Sequence, residues 1–129
     1  MWQFALAFYA KEGRATKLLQ AQQQHGLWIN HYLSYAFARQ QGLGLRPANA
    51  RLLRMHSHWV KPARYWRMSC VGLPELYAKA KAVELELERQ ELVLWSLRLH
   101  QGHQKLSFWR HYPALRQSDL AIELDSWLL

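Results

Sequence analysis

The sequence predicts an all-α fold: a single helical bundle of five or six helices with one long spine helix at about 75–101. Three observations carry this. Apolar residues recur at helical spacing along the chain. No stretch alternates in Val, Ile and Thr as a half-buried strand would. Gly and Pro fall between the periodic segments, as at Gly13, Gly26, Gly42, Gly72-Leu73-Pro74 and Gly102, where they act as helix stops. At 129 residues with 50% apolar side chains, the chain fits one helical domain spanning 1–129.

The first helix is expected over about 2–10, with Trp2, Ala5, Leu6 and Tyr9 on one stripe. Met1–Ala10 is apolar but lacks the basic start of a secretory signal. A second helix fits about 14–25, with Gly26 as its C-terminal stop. The third, about 28–41, is rich in aromatics and ends at Gly42-Leu43-Gly44. Short glycine turns of this kind make neighbouring helices antiparallel. Residues 48–71 form an amphipathic segment with Leu52, Leu53, Met55, Trp59, Val60, Ala63, Trp66 and Cys70 on its apolar half. Pro62 removes the bond to the His58 carbonyl, so a kink or a helix junction is expected near Trp59–Lys61. The spine helix begins near Pro74 and Glu75. Residues 103–115 read as irregular, and a last helix from Ser118 or Asp119 buries Leu120, Leu124, Trp127 and Leu128. The first three helices are expected to form a small bundle with the 48–71 segment across it.

Charge is segregated. Between Gly13 and Pro74 there are nine Lys and Arg residues and no Asp or Glu, which accounts for the net +8. On the 48–71 helix the charges gather on the face holding Arg51, Arg54, Lys61 and Arg64. Charge gathered on one face points to an acidic partner. The competing arrangement pairs it with Glu84, Glu88 and Glu91 of the same chain. No apolar run reaches the ~18–20 residues of a membrane span. The lone Cys70 rules out an intrachain disulfide and suits a reducing compartment, so the cytoplasm is expected.

Catalytic and metal chemistry find little support. The seven His residues lack the convergent spacing of a zinc site, and His100 and His103 are separated by Gly102. There is no Gly-x-Ser-x-Gly elbow, and Cys70 lies on an apolar face. Residues 14–41 make a poor helix-turn-helix, because the second helix opens Trp28-Ile29-Asn30-His31-Tyr32 without a cation before Arg39. Asn30, Trp59 and Arg67, together with Arg64, form a second candidate, a polar pocket for an anionic ligand. A buried Asn and a buried Arg both demand partners. No cofactor is expected.

Trp2-Gln3-Phe4-Ala5-Leu6, Tyr9-Ala10, Gly13, Leu19-Gln20, Gly26, Ile29-Asn30, Trp59, Pro62, Arg64 and Arg67 together resemble a family of short gammaproteobacterial proteins of unknown function. The resemblance covers roughly residues 2–100. It implies an all-helical, cytoplasmic bacterial protein and brings no activity or ligand. Acidic residues of the family pattern are replaced here by Ala21 and Trp28.

The functional expectation is a non-enzymatic binding or adaptor module. Its face Arg51, Arg54, Lys61, Arg64 would meet an acidic protein, with non-specific nucleic acid and an anionic membrane surface as other polyanions. The alternative is a small helical-bundle enzyme or anion binder around Asn30, Arg64 and Arg67. A homo-oligomer joined through Trp109 and Trp127 is the third arrangement.

Overall fold

The computed structural model describes residues 1–102 and 108–128. In chain order the elements are α1 (Trp2–Ala10), α2 (Arg14–His25), α3 (Ile29–Gln41), β1 (Leu43–Leu45), α4 (Ala50–Met55), a wide π-helical turn (His56–Val60), α5 (Lys61–Ser69) and α6 (Pro74–Ser96). They continue with β2 (Leu99–Gln101), a 3-10 turn (Phe108–His111), α7 (Pro113–Arg116) and α8 (Asp119–Ser126). The fold is essentially all-α, as the periodicity predicts, and α6 is its long helix. The chain divides into two compact units: Met1–Arg46 with Leu99–Leu129, and Pro47–Arg98.

In the first unit, α2 and α3 end on Gly26 and Gly42, both at φ 67. Only glycine enters that left-handed region without strain, and each donates its N–H back to the last-turn carbonyls. The core is aromatic. Phe108 stacks on Tyr35 with ring centroids 4.6 Å apart and touches His31, Tyr32 and Trp109. The buried polar groups are partnered. Tyr32 donates its hydroxyl to the Leu124 carbonyl at 2.7 Å, and Trp109 Nε1 donates to Asp125 Oδ1 at 3.0 Å. His31 Nδ1 lies 2.9 Å from the Tyr112 hydroxyl. Burial, helped by nearby His111, pushes the His31 imidazole down to about 3, so it is neutral. Ser118 caps α8 by accepting from the Ala121 N–H.

Several expectations are corrected here. The sequence reading places no strand and takes residues 42–44 as a plain turn. In the structure β1 and β2 pair antiparallel, with Gly44 opposite His100. The pairing needs a residue without a side chain, because a Cβ on Gly44 would fall 2.4 Å from the His100 ring. Residues 99–101 belong to β2, so the spine helix stops at Ser96 rather than about 101. On α1 the buried residues are Ala5 and Phe8, while Leu6 is exposed. Of the stretch read as irregular, residues 108–111 and 113–116 are helical turns; 103–107, including His103, lie outside the described residues. On α8 Leu120 and Leu124 are buried as expected, and Trp127 and Leu128 are half-buried.

In the second unit, Asn49 caps α4: its Oδ1 accepts from the Leu52 N–H at 3.0 Å. The expected disturbance near Pro62 is a widened turn in a continuous right-handed path. The Lys61 N–H reaches back five residues to the His56 carbonyl. The missing Pro62 N–H leaves the ordinary bond to the His58 carbonyl unmade. The buried stripe of this segment is narrower than the wheel predicts. Leu52, Val60, Ala63 and Cys70 are buried, whereas Leu53 (52%), Trp59 (63%) and Trp66 (42%) are exposed.

The aromatic core yields a graded expectation. Tyr32→Phe removes a buried hydrogen bond without changing shape and should cost about 1 kcal/mol. Leu124→Ala, at a fully buried position, should cost about 2–5 kcal/mol by opening a cavity. Urea denaturation of the two variants checks the order.

Candidate functional site

Helix α6 turns three carboxylates toward α4 and α5. Residues 84, 88 and 91 recur at helical spacing, so they share a side. Glu84 and Glu91 are buried and Glu88 is half-buried. The facing helix answers each. Glu84 accepts from Arg67 Nε and lies 3.6 Å from Arg64 Nε. Arg64 also reaches Glu88, at 3.7 Å, and His56 Nδ1 meets Glu91 Oε2 at 2.8 Å. The Tyr77 hydroxyl accepts from Arg67 at 3.3 Å. Partners rise in number on one helix as they fall on the other, so the helices are antiparallel. Burial, with Glu84 as a close like charge, pushes the Glu88 carboxyl up to about 7, against the opposing pull of Arg64.

Beside this ladder the surface is open. Arg51, Arg54 and Lys61 are exposed and form no ion pair among the described residues. The two arginines border a groove of about 620 Å³ between α4 with its wide turn and α6. Met55 and Trp59 line it on one side, and Leu87, Gln90, Val93, Leu94 and Leu97 on the other. Trp59, Val93 and Leu97 are 63%, 52% and 67% exposed, so the groove carries apolar side chains in water.

The predicted residues therefore separate. Arg51 and Arg54 stand together at the groove, with Trp59 in its wall. Lys61 is exposed on the following helix. Arg64 is turned inward onto Glu84 and Glu88. Arg67 joins it at Glu84, so these two cations already hold a carboxylate of their own chain. Asn30 is buried in α3 of the first unit and belongs to a different part of the chain from Trp59, Arg64 and Arg67. Trp109 is buried in the first unit, and Trp127 packs on Phe8 with centroids 6.4 Å apart. No group of three or more His, Cys, Asp or Glu side chains that would hold a metal occurs among the described residues. The α6 wall was missed by reasoning on charge alone. Its signal is present in the sequence: Val83, Leu87, Leu94 and Leu97 lie a quarter-turn from the Glu84–Glu91 side.

The ladder makes two outcomes testable. Glu84→Ala leaves Arg64 and Arg67 half-buried around a missing anion and should destabilise by about 1–3 kcal/mol, allowing for partial solvent screening. Glu88 holds its proton more tightly when folded, so its share of stability is present at low pH and fades as pH climbs from about 4.5 through 7. The stability of Glu88→Gln relative to the unsubstituted protein should therefore rise between pH 5 and pH 8. Thermal melts of both proteins across that range check the sign.

Comparison with known proteins adds a family. The family model described as Protein of unknown function (DUF2390) matches residues 1–95. No curated protein and no solved structure matches the chain. A match over most of the chain, taking in α1 through nearly all of α6, places it: the protein belongs to the DUF2390 family of unknown function.

Proposed function

We propose that the protein is a non-enzymatic binding or adaptor module of the cytoplasm, and that its partner is an acidic protein. The observation that supports this most is the pairing census of the second unit. Arg64 is used internally, whereas Arg51, Arg54 and Lys61 carry their charge to solvent without an ion pair among the described residues. Exposed cations next to exposed apolar side chains suit a protein surface better than a phosphate backbone. Protein interfaces combine buried aromatic and aliphatic anchors with arginine at the edge. Nucleic-acid grooves instead rely on many phosphate contacts. No helix among the described residues is long and apolar enough to cross a membrane.

The reading of Arg64 and Arg67 as an anion pocket is less favoured. A ligand there would have to displace Glu84, which both arginines already hold. The working face therefore contracts from four cations to Arg51, Arg54 and Lys61.

Affinity purification from the native cell tests the proposal at about 50 and 300 mM salt. A partner retained at low salt should fall at least tenfold at high salt, and equally with the triple variant R51E/R54E/K61E. These positions are exposed, so the variant should keep its fold. Partner recovery unaffected by both salt and the triple variant contradicts the proposal.

A further inference from the structure

We infer that the groove beside Arg51 and Arg54 takes an amphipathic α-helix of a partner, about four turns long, with carboxylates along one edge of its apolar stripe. This rests on the reading of the protein as a binding module for an acidic protein and assigns that partner's local structure. The first argument is backbone chemistry. Both walls are helical, so most of their N–H and C=O groups are already used within the walls. Such walls have little to offer the unpaired backbone of an extended peptide, which docks at sheet edges instead. A helix brings its backbone already satisfied and needs only side-chain contacts.

Dimensions give the length. From Leu87 to Leu97 the α6 wall spans ten residues, about 15 Å at the helical rise. Exposed Val83 continues the same side of α6. Seven residues after Trp59, about two helical turns on, Trp66 is also exposed. The apolar track is then about 21 Å, the length of a fourteen-residue helix. Its residues are spaced to receive side chains at i, i+3 or i+4, and i+7.

Charge gives the orientation. Arg51 and Arg54 are three residues apart on α4 and border one side of the groove. The α6 side contributes Gln90 and aliphatic residues. A matching helix carries Asp or Glu on the edge beside α4 and uncharged residues on the other. The chain's own acidic α8 is a poor match, because it buries Leu120, Ala121 and Leu124 in its own unit and leaves Ile122 exposed rather than a stripe.

The test is selection of a phage-displayed library of random sixteen-residue peptides on the full chain. Enriched peptides are then synthesised and measured by fluorescence polarisation. They should show apolar residues at helical spacing with Asp or Glu on one edge, and gain helicity on binding. Leu97→Glu should weaken them at least tenfold. It sits at an exposed position, and circular dichroism verifies that its fold is kept. R51E/R54E should weaken them similarly, and Lys in place of the peptides' carboxylates should restore binding to that variant. Enrichment of non-periodic or basic peptides, affinity unchanged by Leu97→Glu, or no enrichment overturns the inference. If the native partner still depends on salt and on R51E/R54E/K61E, only the helix-in-groove assignment falls.

Discussion

The second unit is organised by the need to neutralise the carboxylates that α6 points at its neighbour. Removing a carboxylate from water costs several kcal/mol unless an opposite charge and hydrogen bonds replace the lost hydration. Arg67 and Arg64 at Glu84, Arg64 at Glu88 and His56 at Glu91 supply that replacement. These pairs are spread along about two turns of α6 and about three of the facing segment, so they fix axial register as well as rotation. Sliding α5 by one turn would leave Glu84 or Glu91 without its cation. Beside the pairs, Leu52, Val60, Ala63, Cys70, Ala80, Leu92 and Trp95 are buried in the same unit. This apolar packing is non-directional, so the charge pairs are what distinguish one register from another.

Rotation of α4 and α5 to bring His56, Arg64 and Arg67 onto α6 has a consequence for the rest of their surface. The apolar half of the segment is wide, and the ladder uses only one edge of it. Trp59 and Trp66 are left on the other edge, in water. The adjacent side of α6 is aliphatic from Val83 to Leu97. Two helices held by charges on one side thus leave an apolar track between them on the other, bordered by the two arginines that the ladder does not use. The groove and the ladder are two sides of one packing solution. The first unit solves its packing differently, with Phe108 at the centre of an aromatic core and the Tyr32 hydroxyl and Trp109 Nε1 each given a partner.

Much of this was legible in the sequence, and the failures have identifiable causes. Helices α2 and α3 end on Gly26 and Gly42 in left-handed caps, so their C-terminal limits could be read directly, whereas α1 ends on an extended Lys11. Pro62 announced the disturbance in the 48–71 segment, but its form, a five-residue reach from Lys61 to His56, depends on how that helix meets α6. The β1–β2 pair left no periodic signal because each strand is three residues long. Its one clue was Gly44 opposite a bulky His100, a relation visible only once the strands meet. At the candidate site the sequence leaves external and internal use of the basic face open, and the structure divides it: Arg64 meets Glu84 and Glu88, while Arg51 and Arg54 border the groove. Hydropathy could not resolve it, since Arg51 and Arg64 look alike in composition and differ only in the rotation that the Glu84 pairing imposes. Trp59 was misplaced for the same reason: an apolar half-wheel says nothing about which edge of it the partner helix covers.

The central claim is that Arg67 and Glu84 are energetically coupled and so set the rotation that keeps the groove open. A double-mutant cycle with Arg67→Met, Glu84→Gln and the double variant, read by urea denaturation, measures that coupling directly. The account predicts a favourable interaction of about 1–3 kcal/mol, with the double variant less destabilised than the sum of the single ones. A coupling of zero, with the two substitutions simply additive, would contradict it.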